Sequence, residues 1–152
     1  MNFQGSQKTK TINLHRGYRV NASLIKRIAS HVLACCKKNK IKEFELVFLT
    51  NRGIRPLNKR YKGEDRATDV LSFDLDGIGA IFISIDKALT NSKIFKTALE
   101  EELTLYVIHG ILHLAGYDDE SRADRVKMEA KQSKILEEIC KREDLSKVLT
   151  PR

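Results

Sequence analysis

Apolar positions recur along the chain with two different periods, and the change from one to the other divides it into elements. Apolar and polar residues alternate in TINLH, Thr11–His15, which predicts a short strand. The period then lengthens. Leu24, Ile25, Ile28, Ala29, Val32 and Leu33 share one face of a helix that Asn21 can cap. EFELVFLT, Glu43–Thr50, is dense in β-branched and aromatic residues and predicts a second strand. Thr50 or Asn51 can cap a short helix through about Tyr61, stopped by Gly63; Pro56 argues against that helix unless it sits in the first turn. TDVLSFDL (Thr68–Leu75) and AIFISI (Ala80–Ile85) predict two more strands, joined by a tight turn at Asp76-Gly77, with Gly79 nearby.

From about Ile94 the pattern becomes helical again, and Leu99, Leu103, Tyr106, Val107, Ile111 and Leu114 form a broad apolar face. A last helix is expected from Arg122 to Lys141, capped by Ser121 and packing through Val126, Ile135, Leu136 and Ile139. Lys147–Arg152 reads as a short tail. Connections are short and no repeat or low-complexity tract intervenes, so residues 1–152 are expected to form a single domain. Four strands mixed with helices, without strict alternation, predict an α+β fold around one small sheet.

Composition narrows the function classes. At 41% hydrophobic and 32% charged residues the chain is globular and not disordered. A net charge of +8 favours a polyanionic partner, whether RNA, DNA or an anionic surface, although many basic proteins bind none. Cys35 and Cys36 are adjacent and Cys140 is distant, which makes no disulfide framework; reduced thiols and a cytoplasmic setting are expected. No apolar run is long enough to span a bilayer, so no membrane partner is expected. The start, MNFQGSQKTK, lacks the apolar core of a secretory signal, and its FQGS resembles a protease-tag scar.

One stretch carries chemistry: IHGILHLAGYDDE, Ile108–Glu120. His109 and His113 are one helical turn apart, so both imidazoles project from the same face and can converge on one small ion. A catalytic metal wants a third ligand and an open position. The helix cannot readily supply that ligand, but Gly116 can reverse the chain and return Tyr117, Asp118 and Asp119. Asp119 stands ten residues after His109, the spacing of the third ligand in H-E-x-x-H-x-x-G-x-x-H metalloproteases. Asp118 is the fallback ligand, a group orienting a histidine, or a general base. Gly110 occupies the place where those proteases keep their catalytic Glu, so ordinary protease chemistry is not expected. Gly110 either leaves room for substrate or permits close helix packing.

These residues resemble the YbeY family of bacterial metal-dependent endoribonucleases. HGILHLAGYDDE is similar to the family's H-G-x-L-H-L-x-G-Y-D-H. A second block, LNKRYKGEDRATDVLSF (Leu57–Phe73), is similar to L-N-x-x-Y-R-x-K-x-x-P-T-[DN]-V-L-S-F. The resemblance implies a zincin-like α+β fold with a small mixed sheet, one Zn2+ or another divalent ion held by His109, His113 and Asp119, and a catalytic role for Lys62. It implies action on rRNA in small-subunit maturation and ribosome quality control, with the small subunit and other ribosome-associated proteins as partners. The chain departs from the family pattern at Lys62 for Arg, Glu64 for a basic residue, Ala67 for Pro, Ala80 for Asp and Asp119 for His.

The departures have chemical consequences. A carboxylate at 119 leaves a bound ion with less net charge than a third imidazole would, and its hardness broadens metal choice towards manganese or magnesium. Lys62 keeps the charge of Arg but not its bidentate fork. It lies among Arg52, Arg55, Lys59, Arg60 and Arg66, a basic wall for RNA. Cleavage could proceed with water at the ion or with the ribose 2′-OH as nucleophile. Two other readings stand beside this one: a ribosome-associated RNA-binding assembly factor with weak or lost catalysis, and a hydrolase of another substrate on the same metal framework. His15 and His31 are read as structural or exposed, and Ser72 and Thr68 as backbone hydrogen-bonding groups near the cleft.

Overall fold

Three parallel strands and a hairpin partner make the sheet on which the candidate site rests. The computed structural model describes residues 8–37 and 39–152; the FQGS segment lies outside them. In chain order the elements are β1 (Lys8–Asn13), β2 (Tyr18–Val20), α1 (Ala22–Ala34), β3 (Glu43–Leu49), α2 (Asn51–Lys62), β4 (Val70–Leu75), β5 (Ile78–Ser84), α3 (Ile85–Phe95), α4 (Leu99–Leu114), α5 (Arg122–Arg142), a 3-10 turn (Leu145–Lys147) and β6 (Leu149–Pro151). The main sheet has the order β1-β3-β5-β4. β1, β3 and β5 are parallel, and β4 runs antiparallel to β5. This is the mixed four-stranded sheet that the hydrophobic pattern and the resemblance led one to expect.

The hairpin fixes the register. Asp76 (φ 53°) and Gly77 (φ 89°) form a two-residue turn between the paired residues Leu75 and Ile78. Two successive positive φ values suit the right-handed twist of the flanking strands, and Asp-Gly adopts them at low cost. Asp74 Oδ1 accepts a hydrogen bond from the Gly77 N–H at 2.9 Å.

Strand alternation separates two cores. Phe44, Leu46, Phe48, Ile81 and Ile83 point into the larger one with Ile28, Val107 and Ile111 of α1 and α4. Val47, Leu49 and Leu71 point to the other face, where Ile54 and Leu57 of α2 cover them. A slip of one residue would exchange the two sets, so burial on both faces locks the register.

Several boundaries differ from the sequence expectation. β1 ends at Asn13, and His15 lies in the loop beyond. α2 runs on through Pro56, its sixth residue, with Thr50 as its cap and Gly63 (φ 74°) closing it. The helix expected from about Ile94 begins at Leu99, and a helix that the pattern did not predict precedes it. α3 starts directly at Ile85, where the Ser84 Oγ accepts from the Lys87 N–H, and ends at Lys96 (φ 54°); α4 starts at Leu99. Ile81, Ile83 and Ile85 prolong the strand alternation across that junction, which hides the change of period. In α5, Val126 is 59% exposed and Met128 turns inward instead. The expected tail is also structured. Leu149–Pro151 pairs antiparallel with Tyr18–Val20, and Val148 and Leu149 are buried; a three-residue strand is too short to leave a periodic signature.

Candidate metal centre

α4 lies across the sheet so closely that its middle tolerates no side chain. A Cβ on Gly110 would stand 2.7 Å from Ile81 Cγ2 and 3.1 Å from Ser72 Oγ. The Ser72 hydroxyl donates to the Gly110 carbonyl at 3.3 Å, as expected of a backbone-bonding group. Thr68 instead bonds the Asp69 carboxylate, at 3.4 Å. The glycine therefore serves helix–sheet packing, the second of its two readings. With this face of α4 pressed on the sheet, His109 remains partly exposed and His113 is exposed.

The end of α4 turns the chain back. Gly116 has φ 98°; its N–H donates to His113 O at 3.1 Å, and the Tyr117 N–H donates to Leu112 O at 3.0 Å. This pair of bonds around a left-handed glycine satisfies two carbonyls of the last turn. Tyr117 packs against the core and carries Lys131 Nζ 4.9 Å from its ring centroid. Ser121 caps α5 by accepting from the Asp124 N–H. Anchored at both ends, the intervening loop brings Asp119 to the two histidines.

The three side chains converge. Asp119 Oδ1 is 3.3 Å from His113 Nε2, and Asp119 Oδ2 is 3.8 Å from His109 Nε2. One donor atom from each residue lies within 4.8 Å of the others. Separations of 3.3 and 3.8 Å are longer than a good hydrogen bond. They match the roughly 3.3–3.8 Å spacing of donors around a tetrahedral ion bound at 2.0–2.3 Å. Side-chain exposures of 28%, 40% and 38% for His109, His113 and Asp119 leave one side open to solvent. Two imidazole nitrogens and a carboxylate with an open side are a donor set that fits a divalent metal.

A fourth residue, which the sequence pattern did not single out, orients His109. Gln132 of α5 places its Oε1 2.6 Å from His109 Nδ1. An amide oxygen only accepts, so Nδ1 carries the proton and Nε2 turns its lone pair towards His113 and Asp119. The signal was present in the chain: Met128, Gln132, Ile135 and Ile139 fall on one stripe of α5, and Gln132 is its polar member.

The family model for endoribonuclease YbeY matches residues 6–140. The chain belongs to the YbeY family. Endoribonuclease YbeY of Nautilia profundicola is 38% identical over 103 residues, covering 64% of this chain and 73% of that protein. Endoribonuclease YbeY of Acholeplasma laidlawii is 34% identical over 130 residues, covering 82% and 93%. A solution structure of a Thermotoga maritima protein shares the fold, with a TM-score of 0.61 and 29% identity over 86% of this chain and 88% of that one.

The positions at which this YbeY chain departs from the family pattern fall in different settings. Ala80 is buried in β5, paired with Glu45 on one side and Phe73 on the other. Lys62 is the exposed last residue of α2 and has no ion-pair partner among the described residues. Asp118 does not join the cluster; its Oδ1 accepts from the Glu120 N–H at 2.7 Å and shapes the loop. Glu64 pairs with Arg66 at 2.7 Å. Arg55 donates to Asp65 at 2.8 Å and so holds that carboxyl below the usual carboxylate range. Between α2 and the loop after it lies a cavity of about 820 Å³, lined by Arg52, Arg55, Lys59 and Arg66 among others.

The remaining histidines are placed by hydrogen bonds. His15 is buried, with Nε2 2.8 Å from Asp86 and Nδ1 accepting from the Gly17 N–H. His31 faces Glu138. No described helix is long and apolar enough to cross a membrane.

Proposed function

We propose that this protein is a metal-dependent endoribonuclease that cleaves rRNA in the cytoplasm, in maturation of the small-subunit rRNA and in ribosome quality control, with His109, His113 and Asp119 holding one Zn2+. The observation that carries the reading is the convergence of these three side chains with Gln132 behind His109. When bound, the ion supplies a Lewis acid for a phosphoryl oxygen and a counter-charge for the transition state.

The chain's own residues do the rest. Gln132 holds His109 in the tautomer that presents Nε2. Asp119 offers one oxygen to each ring side, and its loop is fixed by Gly116 and Ser121. Lys62, exposed and unpaired among the described residues, supplies a point charge for an RNA phosphate. Asp118 keeps Oδ1 on the Glu120 N–H, and its other oxygen is the group that takes a proton from the nucleophile. Membership of a family whose relatives are named endoribonucleases supports the reaction class. The ribosomal small subunit and ribosome-associated proteins are the partners this reading supplies.

A cleavage assay on structured rRNA tests the reading, with wild type, His113→Ala and metal-stripped wild type side by side. Only the metal-loaded wild type is expected to cut. Equal cutting by all three would mark a contaminant, and binding without cutting in any would favour an RNA-binding assembly factor. A 2′,3′-cyclic phosphate on the product would identify the ribose 2′-OH as nucleophile.

A further inference from the structure

A second group of metal-type side chains lies where α1 meets α5, and the proposed cleavage makes no use of it. His31 and Cys35 are four residues apart at the end of α1, on the side turned towards α5, and Glu138 of α5 reaches between them. Its Oε2 is 3.0 Å from His31 Nε2 and 3.9 Å from Cys35 Sγ. One donor atom from each of the three lies within 4.8 Å of the others, and all three residues are half-buried. We propose that His31, Cys35 and Glu138 form a second metal site, for a divalent ion of the zinc class, independent of the one on α4.

The donor chemistry selects the ion. A cysteine sulfur is a soft ligand and an imidazole a borderline one, a combination that suits zinc or cobalt and disfavours magnesium and calcium. The carboxylate's separations of 3.0 and 3.9 Å bracket the roughly 3.3–3.8 Å expected between donors on a tetrahedral zinc, and the imidazole and thiol donors lie within 4.8 Å of each other. Side-chain exposures of 15% for His31 and 38% for Glu138 leave room for a fourth ligand from solvent.

The surroundings permit this. Arg142 Nη1 lies 3.4 Å from His31 Nδ1. A metal-bound imidazole carries its proton on Nδ1, so the exposed Arg142 must swing away. Burial and then the Glu138 carboxylate push the Cys35 thiol up, against a smaller opposite pull from Lys131 and Lys134, so an ion entering here must displace the thiol proton. Cys36 takes no part, since its thiol faces Val32 O at 3.3 Å. An ion here would tie α5 to α1, and α5 is also the helix that presents Gln132 to His109. The competing account is an ordinary His31–Glu138 ion pair between two helices, which requires no sulfur–metal bond.

Sulfur makes the two sites separable. A thiolate bonded to cobalt gives a near-ultraviolet charge-transfer band, and the α4 site has no sulfur to offer. Full-length protein, kept reduced with a phosphine, is titrated with Co2+. The band is expected in wild type, in Cys36→Ser, in Cys140→Ser and in His113→Ala, and is expected to vanish in Cys35→Ser. Zinc content should fall from about two equivalents to about one in Cys35→Ser. Glu138→Gln, which leaves the thiol and the helix packing in place, should weaken the same titration about tenfold or more. A cobalt-saturated wild type without the band, a band that survives Cys35→Ser, or an unchanged midpoint in Glu138→Gln would each overturn the proposal.

Discussion

A histidine offers a metal whichever ring nitrogen lacks the proton, and at His109 that choice is made by a neighbour. Gln132 accepts the Nδ1 proton at 2.6 Å, so the Nε2 lone pair is presented without rearrangement. Replacing Gln132 with Leu keeps the volume and removes the acceptor. Zinc affinity is expected to fall about 10–100-fold while the fold is retained, the usual cost of losing a group behind a metal ligand. Gln132→Glu keeps an acceptor and should bind zinc at least as well as wild type. Isothermal titration of the two variants, with circular dichroism to check folding, separates orientation from structural damage; equal affinity in Gln132→Leu would show that His109 needs no orienting group. His113, whose exposed ring has no such partner among the described residues, should be insensitive to both changes.

Elements differ in how plainly they announce themselves. α1 was legible in its start and its buried face, because all six apolar positions of its stripe are buried and Asn21 caps it as its side chain allows. The hairpin was legible because Asp-Gly can do what few dipeptides can. The reversal at Gly116 and the approach of Asp119 followed from spacing alone. α3 was not legible: of its eleven residues only Ile85, Ala88 and Ser92 are buried, so it has no apolar stripe to display. Val126 was misassigned because periodicity cannot say which of two adjacent stripes meets the core. Gly110 was ambiguous for a related reason, since only the sheet reveals what a side chain there would strike. That contact can be weighed. Alanine would gain about 1 kcal/mol of helix propensity and lose about 1–3 kcal/mol to overpacking against a stiff, β-branched Ile81. With the Cβ only 2.7 Å from Ile81 Cγ2, Gly110→Ala is expected to destabilise the protein and to weaken metal binding at the flanking His109 and His113. Gly53 of α2 is the control. Its Cβ would find nothing nearer than 3.4 Å, so Gly53→Ala should stabilise by about 0.5–1 kcal/mol. Guanidinium melts read both changes, and a stabilised Gly110→Ala would contradict the packing account.

For the whole molecule, a net charge of +8 matters less than which cations are free to meet RNA. Six basic side chains lie between Asn51 and Arg66, but Asp65 engages Arg55 and Lys59, and Glu64 engages Arg66. Arg52, Arg60 and Lys62 have no ion-pair partner among the described residues; Arg60 lies 5.5 Å from the centre of the Tyr61 ring. Free cations release counterions from RNA, whereas paired ones must first give up a carboxylate. For single-stranded RNA each neutralised phosphate adds about −0.7 to the slope of log affinity against log salt. Cations elsewhere on the surface add to the total, so the informative quantity is the change on substitution. Arg52→Ala, Arg60→Ala and Lys62→Ala should each flatten the slope by about 0.7, and Arg55→Ala by clearly less, in binding measured without metal to prevent cleavage. If Arg55→Ala flattens the slope as much as Lys62→Ala, the Asp65 pairs open on binding. The cavity lined by Arg52, Arg55, Lys59 and Arg66 then receives the phosphate backbone together with the exposed end of α2.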